Sequence, residues 1–407
     1  MENYHTLLND YIKSRKGETE KFTYQLEKLN GLSNDVFLMK ILDKNTGLVE
    51  ESCIFRKFGQ ISEMVDRNLE GRIIEKLSIL GLTPEVISTD MKKYRFEKYI
   101  NDGDVINKYY ARSEKFIEKL IEVLVFYTTL SFIHNYKIDT VPDSPKIDIH
   151  ISNIYHDNFY GLEIAQNMFD LCISKLNKRA NENFEIFSEK FLKNYHSNGV
   201  SWIYDGLTFQ EIYARFEKFS FYVKNFKEIF LQVFPSEGLL VLNHNDVHKL
   251  NLLACEGKDK IYILDHEYAS LNLVGADIVN FLIETNYDYS IKAFPFYEYT
   301  PELIDLENYH KIFLKFVEKF IKKQKDLNST RILDVFDKQF EEIENFDFFL
   351  GLIQVISLFW MLYCAVYIDY NTLENKQKFD YFQHAMDRIA LFESVEKILK
   401  NKIEKIE

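Results

Sequence analysis

The chain has 407 residues, 46% of them hydrophobic and 28% charged, enough apolar side chains to fill a core and exclude global disorder. Lys and Arg number 50 against 63 Asp and Glu, a net charge of −13, so the basic footprint of a nucleic-acid binder is missing. Cys53, Cys172, Cys255 and Cys364 lie far apart with no C-x-x-C pair, and Met1 to Tyr11 holds no apolar leader core, the pattern of reduced thiols in a cytoplasmic protein.

Residues 22–58 read as strands. FTYQLEKL, VFLMKILD and SCIFRKFG are short β-compatible runs, broken by Asn30-Gly31 and by Asn45-Thr46-Gly47, the latter within a good hairpin turn, DKNTG. Residues 62–80 have helical spacing and end at Gly81, a C-cap, with Pro84 beyond it. A strand pair follows around EVIST and KYRFEKYI. Past Asn101-Asp102-Gly103 the pattern changes to long helices, such as 113–134, with one β stretch near 239–268.

Leu350 to Ile368 carries no charge. A membrane span needs about 20 apolar residues. Gln354, Ser357, Tyr363 and Tyr367 interrupt this run and no basic cluster flanks it, so a helix buried on all sides is expected rather than a span. There is no internal repeat and no low-complexity tract. The fold class is α+β: a small N-terminal sheet with a helix, then a larger, mostly helical lobe, dividing into 1–100 and 101–407.

Chemistry concentrates in residues 241–284. Two apolar strands flank a turn, and each leads into polar residues. Asp246 and Asn251 stand five apart in a loop, the interval between catalytic-loop Asp and Asn in protein kinases. The Asp accepts a proton from the substrate hydroxyl, and the Asn offers its side-chain carbonyl oxygen to Mg²⁺, a hard cation that wants oxygen ligands. Asp265 ends the next strand, where a kinase holds its main metal-binding Asp. No G-x-x-x-x-G-K-[ST] occurs, which excludes a P-loop, and no A-P-E-like segment follows Asp265, which argues against a protein kinase.

His244-Asn245-Asp246 with Asn251, then Asp265-His266-Glu267-Tyr268, Asn272, Asp277-Ile278, Asn280 and Glu284 resemble the signature of choline and ethanolamine kinases. His266 departs from it, standing where that family has Phe. The first motif alone also fits aminoglycoside phosphotransferases; D-x-E-Y and Glu284 tilt the reading to choline and ethanolamine kinases. The resemblance implies a two-lobed protein-kinase-like fold, ATP and Mg²⁺ as cofactors, Asp246 as base, and Asn251 and Asp265 as metal ligands. Gly31, Leu32, Ser33 and Asn34 resemble the turn that covers the ATP phosphates. Arg56 fills the position of the phosphate-contacting strand cation, with Glu70 as its candidate ion-pair partner. Residues 95–100, RFEKYI, resemble the hinge, so the backbone of Lys98, Tyr99 and Ile100 would meet adenine. His248 is read as a hydrogen-bond donor near the phosphates.

The acceptor side is read from the last third of the chain. Glu284, Tyr287 and Tyr289 lie in ETNYDYS, which resembles E-W-x-Y-D-Y, with Thr285 in place of Trp. Trp360 and Tyr363 resemble F-W-x-L-W, with Tyr363 for the second Trp, and Phe379-Asp380-Tyr381 resembles M-D-Y. Acceptor contacts are therefore expected from Asp246, Glu267, Tyr268, Glu284, Tyr289, Trp360, Tyr363 and Tyr381. Aromatic residues form 15% of the chain, so core packing competes with each of these aromatic assignments. A quaternary ammonium is recognised by ring faces and carboxylates, which favours choline over ethanolamine as the small-molecule substrate. A catalytically silent nucleotide-binding protein is the alternative of a different class. Asp246, Asn251, Asp265 and Arg56 together favour the enzyme. By resemblance a homodimer is implied. His5, His156, His196 and His310 show no ligand spacing and are read as surface or structural.

Overall fold

Alternating side chains build the N-terminal sheet. Helix α1 (His5–Lys16) precedes strands β1 (Phe22–Lys28), β2 (Asp35–Asp43) and β3 (Val49–Lys57); helix α2 (Arg67–Ile79) leads to β4 (Val86–Asp90) and β5 (Tyr94–Lys98). The strands pair antiparallel in the order β1-β2-β3-β5-β4. Cross-strand partners share a face. Phe55 opposite Phe96 and Met39 opposite Cys53 form the face that receives Leu8, Tyr11 and Ile12 of α1. The Tyr11 and Phe96 rings stack at 3.9 Å there. The other face sets Arg56 beside Arg95 and Ile54 beside Glu97, so the single strand Y-R-F-E-K supplies aromatic core on one side and charge on the other. At DKNTG, Asp43 Oδ1 accepts the backbone N–H groups of Asn45 and Thr46, both at 2.8 Å, and Gly47 takes φ +70°.

This computed structural model describes residues 5–29, 34–58, 67–90, 93–130, 214–215, 240–255, 259–293, 296–327, 343–367 and 379–395. Gly31, Leu32, Ser33, Cys172, His156, His196 and the ends of the expected helices at 62–66 and 131–134 lie outside them. The chain divides into two compact units. Described residues up to Val105 and Asn251–Tyr268 form the first, and those from Ile106 to Leu250 and from Ala269 onward form the second. The first unit adds a small sheet of Asp104–Val105, Leu252–Cys255 and Lys260–Ile263. It is tied to the turn after α2 by a hydrogen bond from the Ile263 N–H to the Leu82 carbonyl, 2.8 Å.

In the second unit, Ser113 caps the helix Glu114–Thr129, Asp305 caps Leu306–Asp326, and Asp380 caps Tyr381–Ser394. The helix Phe346–Tyr367 contains the uncharged run up to Tyr367. Leu352, Ile353, Leu358 and Met361 are buried, and buried Gln354 donates to the Val395 carbonyl at 2.9 Å. No described helix is long and apolar enough to cross a membrane. The helix Ala276–Glu284 is buried at every residue. It starts at Gly275, which has φ +82° and where a Cβ would lie 2.4 Å from Phe313 Cε2. Just before it runs a two-stranded ribbon, Leu240–Asn243 with Ser270–Leu273, whose first strand ends at the His244-Asn245-Asp246 loop.

Candidate active site

In the first unit the charged sheet face becomes a buried ionic network. Arg56 Nη1 donates to Asp265 Oδ2 at 3.0 Å, and its Nε lies 3.9 Å from Glu97 Oε1. Arg95 donates to Glu97 and, at 2.9 Å, to Glu70 Oε1. Arg67 donates to Glu70 Oε2 at 2.6 Å and lies 3.2 Å from Glu267 Oε2, which also accepts from Asn34 Nδ2 at 3.3 Å. Among the described residues, three guanidiniums thus face four carboxylates. Burial alone would favour loss of the Arg56 charge, but Asp265, Glu97, Glu70 and Glu267 outweigh it and hold its pKa above the ordinary arginine value. Glu70 likewise resists burial and stays below the usual carboxylate pKa because Arg95 and Arg67 flank it.

The sequence reading paired Glu70 with Arg56. In the structure the direct partners of Glu70 are Arg67, one helical turn away on α2, and Arg95, which the strand register sets alongside Arg56, while Asp265 and Glu97 lie next to Arg56. Asp265 follows the strand Lys260–Ile263 in a left-handed conformation, φ +60°, uncommon for a residue with a Cβ. The register Leu252 to Ile263 continues into a hydrogen bond from the Leu264 N–H to the Asn251 carbonyl, 2.8 Å, so Asn251 and Asp265 are neighbours at adjacent strand ends. Their side-chain oxygens form a hard donor set that fits Mg²⁺. Among the described residues no three His, Cys, Asp or Glu side chains could hold a metal ion by themselves.

In the second unit the Asp246 loop is held from below. Asp277, in the first turn of the Ala276–Glu284 helix, accepts the backbone N–H of His244 at 2.7 Å and of Asn245 at 2.8 Å. Asn245 has φ +65°; its side chain donates to Ser270 Oγ at 2.7 Å and accepts from Asn272 Nδ2 at 2.8 Å. Burial pushes the Asp277 carboxyl up to about 7 against the pull of these two N–H groups. His248 Nδ1 accepts from the Leu250 N–H, which leaves the ring proton on Nε2, 3.5 Å from Asp246 Oδ2. Buried Lys249 pairs with Asp288 at 3.0 Å. Asn280 Nδ2 donates to the Val247 carbonyl at 3.1 Å, and Trp360 Nε1 donates to Asn280 Oδ1 at 2.9 Å.

An aromatic and ionic cluster adjoins this loop. The His248 and Tyr289 rings meet edge-on at 6.2 Å. The Tyr289 hydroxyl donates to Glu284 Oε2 at 2.8 Å and lies 3.0 Å from His384 Nε2. The other Glu284 oxygen accepts from Arg388, whose guanidinium lies 4.2 Å from the Tyr287 ring centroid. Tyr287 stacks on Tyr299 at 4.5 Å and on Tyr289 at 6.1 Å. The Tyr297 hydroxyl donates to Asp387 Oδ2 at 2.6 Å. His384 is held neutral by burial and by Arg388.

The expected residues therefore fall into distinct groups. Asn34, Arg56, Asp265 and Glu267 share the first network, and Asn251 lies at the adjacent strand end from Asp265. Glu267, expected to touch acceptor, is engaged there with Arg67 and Asn34. Lys98 ends β5, its N–H donating to the Glu85 carbonyl at 2.8 Å, and Tyr99 and Ile100 follow it. Tyr268 is buried. Asp246, His248, Glu284, Tyr289, Trp360 and Tyr363 lie in the second unit, Trp360 and Tyr363 meeting edge-on at 5.4 Å. Tyr381 packs against Phe379 at 4.9 Å. His5 accepts or donates at the Tyr24 hydroxyl, 2.8 Å, and His310 bonds the Glu344 carbonyl, 3.1 Å. Arg67, His384 and Arg388 went unremarked in the sequence. The signal for Arg388 was a charge at a core-facing position of the helix that begins YFQHAMDR.

The sequence model of the choline/ethanolamine kinase family matches residues 27–393. A choline/ethanolamine kinase of Rattus norvegicus is 25% identical over 157 residues, 38% of this chain and 37% of that relative's length. Among solved structures, a choline kinase from Cryptosporidium parvum superposes with a TM-score of 0.62 at 16% identity, covering 98% of this chain and 96% of the other. A Plasmodium vivax ethanolamine kinase gives 0.54 at 13% identity, covering 96% and 89%. These two neighbours share the fold, an α+β protein-kinase-like one with an N-terminal antiparallel sheet and a helical C-terminal region. With nine-tenths of its length matched by the family's sequence pattern, the chain belongs to the choline/ethanolamine kinase family.

Proposed function

We propose that this chain transfers the γ-phosphoryl group of ATP to the hydroxyl of a small amino alcohol, with choline as acceptor. The observation that carries the reading is the clamped Asp246 loop, from which a run of contacts leads through His248 and Tyr289 to Glu284. Asp246 orients the hydroxyl and accepts its proton as the oxygen attacks phosphorus. His248 Nε2–H faces that carboxylate and steadies it. Arg56 would neutralise phosphate charge, Gly31, Leu32, Ser33 and Asn34 would cover the phosphates, and the backbone of Lys98, Tyr99 and Ile100 would meet the adenine edge. Residues 1–100 would serve as the nucleotide-binding lobe and 101–407 as the catalytic and acceptor lobe. Asn251 and Asp265 would hold Mg²⁺, which when bound neutralises charge on the phosphate oxygens. The protein mostly positions groups, since a loose phosphoryl-transfer transition state needs little covalent help.

Tyr289, bonded to Glu284, with the rings of Trp360, Tyr363 and Tyr381 would favour a methylated cation. Ethanolamine is the second reading, favoured by the mutual stacking of Tyr287, Tyr289 and Tyr299, which covers ring faces that a trimethylammonium would use. ADP release with choline and with ethanolamine, for wild type and Asp246→Ala, tests the proposal. Turnover should fall by about 10²–10⁴-fold in the variant while ATP still binds. A variant with near-normal turnover, or a wild type that binds ATP yet turns over neither alcohol, contradicts it.

A further inference from the structure

Asp277 and Asn280, on one helix, hold the Asp246 loop at its entry and at Val247. The loop ends in a 3-10 turn, Lys249–Asn251, whose last residue carries a metal-binding side chain. Hydrophobic burial does not fix this turn, since Leu250 at its middle is 41% exposed. Polar contacts do. The Leu250 N–H donates to His248 Nδ1 at 3.3 Å, the Asn251 carbonyl accepts the Leu264 N–H at 2.8 Å, and Lys249 Nζ donates to Asp288 Oδ1 at 3.0 Å.

The lysine contact stands out. Lys249 is 6% exposed, and a lysine is rarely buried unless it is paired. Lysine is a common phosphate binder, yet this ammonium is committed to a carboxylate 39 residues further along the chain. Asp288 is a prepared receptor for it. Ser290 donates to the same oxygen through its backbone N–H at 3.0 Å and its hydroxyl at 2.8 Å. Tyr287, the preceding residue, is buried and stacks on Tyr299, and the strand Tyr287–Asp288 pairs with Glu298–Tyr299. The carboxylate is thus oriented by its own surroundings, and a preorganised partner loses little freedom when the lysine meets it.

We propose that Lys249 is a positioning residue for the metal: its pair with Asp288 sets the turn that aims the Asn251 side-chain oxygen, and so sets the affinity for Mg²⁺. The inference rests on the reading that Asn251 and Asp265 hold Mg²⁺. Lys249 acts through the backbone of its turn and not by touching metal or phosphate. Asp265 has its own hold in Arg56. Loss of a group that orients a metal ligand lowers metal affinity by about 10–100-fold.

The test uses the full chain and reads Mg²⁺ in two ways. One is calorimetric ATP binding with no acceptor, with and without Mg²⁺; the other is a Mg²⁺ titration of ADP release with choline and with ethanolamine. Wild type is compared with Lys249→Met, with Lys249→Arg, and with Lys249→Met/Asp288→Leu, which leaves no lone buried charge and carries the comparison where Lys249→Met fails to fold. Removal of the pair should raise the Mg²⁺ concentration at half-saturation by about 10–100-fold in both readouts. ATP binding without Mg²⁺, and the choline KM at saturating Mg²⁺, should stay at wild-type values. Lys249→Arg keeps the charge and should recover most of the Mg²⁺ affinity. Variants that lower the urea midpoint yet leave both Mg²⁺ titrations unchanged show a structural pair only and overturn the inference. So does a Mg²⁺ requirement that rises as much in Lys249→Arg as in Lys249→Met. A wild type that binds ATP with Mg²⁺ but phosphorylates neither alcohol removes the kinase reading, and the calorimetric arm still decides the inference. A wild type whose ATP binding ignores Mg²⁺ removes the inference together with its premise.

Discussion

The Asp277 carboxylate lies 2.8 Å from the backbone nitrogen of Asn245, a residue held at φ +65° one position before Asp246. A carboxylate planted in the first turn of one helix thus fixes the direction in which a loop 32 residues earlier presents its own carboxylate. Asp277→Ala removes both N–H acceptors and should lower turnover by about 10²-fold, the scale of an ångström-sized misplacement. The ATP KM should change little. Full activity in that variant would show that the loop is fixed by other contacts.

The same residue predicts a pH dependence of stability. Burial raises the folded-state pKa of Asp277 from 3.8 to about 7, with repulsion from Asp246 adding to it. The folded chain then keeps a proton that the unfolded chain releases. Stability therefore falls as pH rises from about 4 to about 7 and levels off above. Asp277→Asn cannot titrate, so its urea midpoint should change less between pH 5 and pH 8 than that of wild type. Asp387, also raised to about 7 by burial, contributes to both proteins alike. Identical changes in the two proteins would mean that Asp277 does not hold the extra proton.

Gly275 makes the helix of Asp277 possible. Ala there meets two penalties: φ +82° and a Cβ placed 2.4 Å from Phe313. Positive φ costs roughly 1–3 kcal/mol and overpacking a similar amount, so Gly275→Ala should destabilise by about 2–6 kcal/mol in urea unfolding. Adding Phe313→Leu should recover only the steric part. A Gly275→Ala protein as stable as wild type would refute this account of the helix start.

Much of this was readable in the sequence because it is local. The alternation in SCIFRK and YRFEK gives one aromatic and one charged face, DKNTG closes a hairpin, and Asp246 and Asn251 stand five apart whatever surrounds them. The uncharged run at 350–368 announced a buried helix for the same reason. Pairings that depend on register or on packing between distant segments were not readable. Glu70 meets Arg95 because strands β3 and β5 align Arg56 with Arg95, while its pair with Arg67 is local to α2. Glu267 looks like an acceptor ligand in its motif, yet its partners are 200 or more residues away. Arg388 and Glu284 are 104 residues apart, and only helix packing brings them together.

The Arg56–Asp265 pair sets an expectation for metal dependence. Asp265→Asn keeps the shape of the side chain but removes the negative charge that Arg56 Nη1 contacts at 3.0 Å. Activity should require roughly tenfold more Mg²⁺, and Mn²⁺, which binds nitrogen and oxygen sites more tightly, should rescue part of it. An unchanged Mg²⁺ titration would move the metal away from Asp265.

Trp360 has two separable roles to test. Its ring, 8% exposed, meets Tyr363 edge-on, and a desolvated cation–π contact is worth about 2 kcal/mol, roughly 30-fold in affinity. Its Nε1–H also holds Asn280, which in turn holds the Val247 carbonyl beside Asp246. Trp360→Phe keeps a ring face and loses the N–H. It should lower kcat for choline and ethanolamine alike by about 2–12-fold, the worth of one neutral hydrogen bond. Trp360→Ala loses both, and should add a choline-specific rise in KM of about 30-fold, because a primary ammonium relies more on carboxylates than on ring faces. Loss of packing is the competing explanation, since a buried Trp→Ala costs about 3–5 kcal/mol; an unaltered ATP KM in both variants controls for it. If Trp360→Ala raises the ethanolamine KM as much as the choline KM, the ring does not face the acceptor's methyl groups. Trp360 then acts only through Asn280 and Val247, and the preference for choline over ethanolamine loses its main support.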